Sequence, residues 1–94
     1  MVIRSFKNKE TRAVFDRNWS RRFPASILER AFEKLLILDA AEGLDDLRAP
    51  PGNRLEMLVG DRKGQHGIRI NDQWRICFRW NNGDAFDVEI RGYH

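Results

Sequence analysis

Apolar and polar residues alternate through the second half of the chain. Ile68 and Ile70 flank Arg69; Trp74, Ile76, Phe78 and Trp80 share one parity, and Gln73, Arg75, Cys77 and Arg79 the other. Successive side chains on a strand point to opposite faces, so a period of two predicts half-buried strands. Asn71-Asp72-Gln73 is the short polar link a hairpin needs. A third run, Ala85 to Arg91, follows the turn Asn81-Asn82-Gly83-Asp84, with Phe86, Val88 and Ile90 expected on one face and Asp87, Glu89 and Arg91 on the other. Arg54 to Val59 alternates more weakly, with Leu55, Met57 and Val59 expected inward. Four strands of this kind present one apolar face. The opposite face carries Arg54, Glu56, Arg69, Arg75, Arg79, Arg91 and Tyr93.

The first half has a different period. Val2 to Phe6 reads as a short first strand. Asn8 suits a helix N-cap, and Lys9 to Asn18 a short helix with Val14, Phe15 and Trp19 as its apolar stripe. Arg17, Arg21 and Arg22 cluster at its end, a basic helix terminus rather than a secondary RNA contact. Pro24 opens a second helix running to about Ala41, with Gly43 as the stop signal. Leu28, Ala31, Phe32, Leu35 and Leu38 recur at helical spacing and predict the cover for the apolar face of the sheet. Glu29, Arg30, Glu33 and Lys34 read as its solvated side. Ala49-Pro50-Pro51-Gly52-Asn53 is a rigid connection between the halves, and Gly60 to Gly64 a turn. The expectation is an α+β chain folding as a single domain over residues 1–94.

Composition narrows the function classes. Ninety-four residues suffice for one modest core. No apolar run reaches the length of a membrane span, and the basic start of the chain does not read as a signal peptide. Cys77 alone offers neither a disulfide nor a metal cluster, and His66 and His94 lack ligand spacing. Cytoplasmic location without a metal cofactor is the expectation. The net charge of +3 is mild, but thirteen of the seventeen basic residues are arginine. The guanidinium fork suits phosphate oxygens and stacks on bases, which directs attention to the arginines of the sheet face.

RNA cleavage without a metal asks for what that face supplies. A 2′-hydroxyl must lose a proton and attack the adjacent phosphorus, charge builds on phosphate oxygens, and the 5′-oxygen takes a proton. Glu56, Tyr93 and His94 are the candidate proton-transfer groups; Arg54, Arg69, Arg75 and Arg91 are the candidate phosphate contacts. Plainer roles exist for each. Glu56 is a salt-bridge partner for any arginine beside it, Arg69 and Arg75 could pair with Asp87 and Glu89, and Cys77 suits a small packed side chain. On residue types alone, a basic nucleic-acid-binding domain is the broader reading.

The chain resembles the HigB toxins of the RelE/ParE superfamily. The resemblance runs from Ile3-Arg4-Ser5-Phe6 through Leu47 to Glu56 and Gly60 to His66. It is strongest over Ile70-Asn71-Asp72-Gln73-Trp74-Arg75-Ile76-Cys77-Phe78, and it ends with Tyr93-His94. It implies the RelE-like fold, two N-terminal helices packed on a curved, mostly antiparallel four- to five-stranded sheet. It implies a type II toxin: a metal-independent endoribonuclease that cuts message in the A site of the 70S ribosome and so inhibits translation. A HigA-like antitoxin partner is also implied, with operator DNA reached only through that antitoxin. Arg75 matches the family's strand arginine after tryptophan, and Tyr93 and His94 match its terminal pair. Some relatives have histidine where this chain has Glu56 and lysine where it has Val59, and many have aspartate where it has Gly92. Those departures predict weaker activity. The alternatives are a non-cleaving toxin of the same fold, directed at gyrase or the ribosome, and an RNA-binding module with weakened catalysis.

Overall fold

The computed structural model describes residues 1–18 and 21–93. Its centre is an antiparallel sheet formed by β1 (Glu56–Met57), β2 (His66–Arg69), β3 (Trp74–Asn81) and β4 (Asp84–Gly92), in that order across the sheet. Sequential neighbours pair throughout, and the two connections that flank β3 are short enough for hairpins. Asn82 and Gly83 take φ of 51° and 82°, the left-handed pair that a tight two-residue turn between β3 and β4 requires. Between β2 and β3, the Asn71 Oδ1 accepts from the Gln73 and Trp74 amides at 2.8 and 2.9 Å, replacing backbone partners within the link.

Two helices, α1 (Lys9–Phe15) and α2 (Ala25–Ala40), precede the sheet. Asn8 caps α1 as expected, its Oδ1 accepting from the Thr11 amide at 2.9 Å. The helix stops at Phe15 rather than Asn18, since Arg17 turns into the left-handed region with φ of 60°. The Trp19 of its expected stripe lies outside the described residues. Arg17 folds back onto α2, its guanidinium 4.5 Å from the Phe32 ring centroid. Ile27, Ala31, Leu35 and Leu38 of α2 are buried against Ile68, Ile76, Phe78, Val88 and Ile90. Burial of each large aliphatic side chain stabilises by about 1.5–3 kcal/mol. Ile27 takes the fully buried place expected of Leu28, which is only partly covered. The α+β architecture of two helices on an antiparallel sheet thus follows the hydrophobic pattern.

Three local readings need correction. Val2 to Phe6 forms no regular strand; it lies parallel to β4 through two bridges, Ile3 to Ala85 and Phe6 to Val88. Asp39 at the end of α2 holds its start, the Oδ1 accepting from the Val2 and Ile3 amides, both at 3.0 Å. The first strand of the sheet is only two residues long, and Met57 and Val59 are exposed, 74% and 85%. Arg54 sits at φ of 45°, which takes the first residue of the expected run out of extended conformation, and Leu58 takes the buried position instead. Finally, β4 does not keep one phase. Cys77 pairs with Glu89 but Arg79 pairs with Phe86, so β4 carries one extra residue, and Asp87 adopts φ of 54° there. This bulge moves Phe86 off the core face and puts Ala85 on it, fully buried.

Candidate nuclease site

Strand register gathers the predicted residues. Arg69 lies directly opposite Arg75, and Arg75 directly opposite Arg91, so three guanidinium-bearing positions form one row across β2, β3 and β4. Directly opposed residues share a face, and like charges so placed repel unless acids or ligands intervene. Acids do intervene. Asp72 pairs with Arg69, Glu56 Oε1 lies 3.5 Å from Arg75 Nη1, and Glu89 Oε2 lies 3.8 Å from Arg91 Nη1.

The pairing of Glu56 with Arg75 depends on a glycine. Glu56 sits opposite Gly67, and Gly67 opposite Cys77, in the row next to the arginines. A Cβ at Gly67 would lie 3.3 Å from Leu58 Cδ2 and 3.8 Å from Arg75 Cδ. The bare backbone therefore leaves room for the Glu56 and Arg75 side chains to meet across β2. Tyr93 follows β4, its amide donating to the Gln73 carbonyl at 2.8 Å. That bond places the phenol ring under Arg75, whose guanidinium carbon is 4.9 Å from the ring centroid. Arg75 is thus clamped between a carboxylate and a ring, with its Nε buried and without a hydrogen-bond partner.

Arg54, Glu56, Arg69, Asp72 and Tyr93 line an open pocket of about 280 Å³ beside this clamp. The structure therefore unites five predicted residues, Arg54, Glu56, Arg69, Arg75 and Tyr93. Arg91 is in the same row but borders a different depression, of about 210 Å³, with Arg22, Phe23 and Trp74. His94 lies outside the described residues. Burial, reinforced by the Glu56 charge and opposed by Arg75 and Arg69, pushes the Tyr93 phenol above its ordinary value. The phenol is therefore protonated at neutral pH. It is a proton donor in its resting state.

The other titratable groups near the face have structural explanations. Cys77 is fully buried, and burial pushes its thiol up despite the pull of Arg75 and Arg62, so it packs as a thiol. His66 stacks on Phe78 with ring centroids 5.9 Å apart, and burial lowers its value, so it is neutral. Glu89 is buried with Arg62 Nη1 at 2.9 Å from Oε1, a close charge pair although the two are poorly aligned for a hydrogen bond. Arg75 does not pair with Glu89, nor Arg69 with Asp87; the partner of Asp87 is Arg79, at 3.7 Å. Among the described residues, no three His, Cys, Asp or Glu side chains gather as a metal-ligand set, and no helix is long and apolar enough to cross a membrane. Sequence reasoning missed Asp72 as a wall of the pocket and Gly67 as the bare position between Glu56 and Arg75. A turn aspartate and a strand glycine carry no signal until the register is known.

Comparison with known proteins gives this geometry its context. Residues 4–94 match the family described as the RelE-like toxin of type II toxin–antitoxin system HigB. The chain belongs to the HigB-like toxin family. It is 46% identical over 86 residues to Toxin HigB-1 of Vibrio cholerae, covering 90% of each chain. It is 32% identical over 93 residues to Endoribonuclease HigB of Proteus vulgaris, covering 99% of this chain and 100% of that one. Among solved structures, a histidine-to-glutamine mutant of Escherichia coli YafQ superposes with a TM-score of 0.58 at 12% identity, covering 96% of this chain and 90% of that one. The solution structure of Helicobacter pylori HP0894 gives 0.57 at 17% identity, covering 99% and 96%. At those identities the likeness is one of fold, and it is RelE-like. This HigB-like protein is a toxin of a type II toxin–antitoxin system and has an antitoxin as its partner.

Proposed function

We propose that this HigB-like toxin is an endoribonuclease that cuts message in the ribosomal A site without a metal ion, using the face between Glu56 and Tyr93. The observation that carries the reading is the Glu56–Arg75–Tyr93 clamp at the edge of a cationic pocket. A scissile phosphodiester seated between Arg54, Arg69 and Arg75 presents its 2′-hydroxyl to the Glu56 carboxylate, which accepts the proton. The O2′–P bond forms, and charge gathers on the nonbridging oxygens beside the guanidinium groups. The P–O5′ bond breaks, and Tyr93, resting as a protonated phenol, gives its proton to the departing 5′-oxygen. The products are a 2′,3′-cyclic phosphate and a 5′-hydroxyl. His94 follows Tyr93 directly and is the second candidate for that donation. Arg91 holds the flanking strand from the far end of the arginine row.

Glu56 cannot offer positive charge to phosphate, so Arg54 and Arg69 carry that task here. Gly92 leaves no carboxylate beside Tyr93 to orient it. Activity below that of relatives with the fuller set follows. The setting is the cytoplasm, where message and ribosome meet. The HigA-like antitoxin neutralises the toxin and carries the complex to operator DNA.

The test is cleavage of message on programmed ribosomes with untagged protein, alongside naked RNA and a protein lacking His94. Cuts within A-site codons, absent from naked RNA, are expected. Translation arrest without cuts would instead indicate a toxin that acts by binding, and no effect on translation would remove the ribosome as the target.

A further inference from the structure

A second depression, of about 380 Å³, adjoins the nuclease pocket. Arg30, Lys34, Arg54, Arg69 and Asp72 are among the residues that line it. Arg54, Arg69 and Asp72 border both pockets, so the two form one track from the sheet face onto α2. Four cationic side chains meet there. The single carboxylate in the lining is Asp72, and it is engaged by Arg69. Among the described residues, no carboxylate forms an ion pair with Arg30, Lys34 or Arg54.

Lys34 is not a free surface lysine. Its Nζ donates to Asn53 Oδ1. Asn53 is fully buried, and its Nδ2 donates to the carbonyls of Leu47 and Ala49 at 3.2 and 3.1 Å. With both amide hydrogens anchored, the orientation of the Asn53 amide is fixed and its oxygen faces Lys34. Ordering a lysine side chain costs rotamer freedom. Here it is ordered towards other cations rather than towards an acid. Burial and Arg30 lower the Lys34 value, against a smaller opposing pull from Glu33. A bound anion would relieve this unfavourable gathering of charge.

We propose that the Arg30–Lys34–Arg54 pocket binds a phosphodiester of RNA beyond the scissile one, so that α2 and the Pro51–Asn53 turn extend the substrate track of the nuclease face. This deepens the nuclease reading and rests on it. The phosphodiester comes from the message itself or from ribosomal RNA next to the A site, and the chemistry of recognition is the same. Lys34 is a binding residue in this proposal and has no part in bond cleavage.

The experiment compares the unsubstituted toxin with Lys34→Gln, Lys34→Arg and Arg30→Gln. Glutamine retains a donor for Asn53 and removes the charge; thermal melts establish that each variant folds. In one arm, affinity for cleavage-resistant 2′-O-methyl RNA is measured over a range of salt, using a hexanucleotide and a dinucleotide. In the other, binding is measured to ribosomes whose message ends in the P site. Lys34→Gln is expected to weaken hexanucleotide binding several-fold and to lower its salt slope by about 0.7, the value for one lost single-strand phosphate contact. Dinucleotide binding should not change, and Lys34→Arg should restore the loss. Weakening only on the message-truncated ribosome would assign the phosphodiester to ribosomal RNA, and it also supports the proposal. Unchanged affinity in both arms would overturn it. Cleavage by the unsubstituted toxin is read separately on programmed ribosomes. Failure there would sink the nuclease reading without altering the binding comparison.

Discussion

Tyr93 is the residue on which the proposed chemistry is most exposed to test. Its ring packs under Arg75 and its hydroxyl is held protonated, so the two contributions separate in Tyr93→Phe. That variant keeps the ring. Single-turnover cleavage on programmed ribosomes should fall by about 10²- to 10⁴-fold, the usual contribution of a general acid or base, while ribosome binding holds. Undiminished cleavage would transfer the proton donation to another group. The direction of the pKa change sets the pH profile. A raised value preserves the acid form through neutrality, so loss of the donor appears only above about pH 10, the ordinary phenol value. An alkaline fall near neutrality would point to His94 instead. At this scale the sequence marked the residues that the structure gathers into the candidate site: Glu56 and Tyr93 stand out as the acid and the phenol on an otherwise basic strand face. It could not distinguish the role of Arg91, whose place on the row is right but whose surroundings differ from those of Arg69.

At the scale of elements, the outer edge of β4 is closed by unlike partners. The N-terminal segment covers it at Ala85 and Val88, and beyond that the fully buried Thr11 of α1 takes over, its Oγ1 accepting from the Ile90 amide at 3.0 Å. Thr11→Val replaces that hydroxyl by a methyl group and leaves a buried N–H unpaired. Loss of about 1–3 kcal/mol in urea unfolding is expected; a change within a few tenths would mean that the amide finds another partner. Periodicity predicted α1 and its cap, but not this contact, because Thr11 and Ile90 are far apart in the chain. The bulge at Asp87 has the same character. Alternation in Ala85 to Arg91 reads smoothly, yet the pairing with β3 takes in one residue more on β4 than on its partner.

For the whole molecule, acid stability follows from the packing of β2 on β3. His66 stacks on Phe78, and burial lowers its value. The folded protein therefore takes up this proton less readily than the unfolded chain does. The unfolded state binds more protons as pH falls below about 6.5, the ordinary histidine value, so stability declines from there and levels off beneath the lowered folded value. Thermal melts between pH 5 and 8 should display this decline, and His66→Gln should flatten it. A decline of equal size in the variant would assign the effect to other groups.

The sequence by itself determined the alternating strands, the amphipathic α2, the hairpin turns, and the arginine-rich face with Glu56 and Tyr93. These are readable because helix and strand periods are local properties of a chain with one apolar side. Tertiary structure alone decided which row each arginine joins, that Gly67 opens the space between Glu56 and Arg75, and that Asn53 turns Lys34 towards the pocket. It also set the phase of β4. Register, bulges and the aim of a buried amide depend on what lies across the sheet or under the next turn. No local pattern encodes those neighbours.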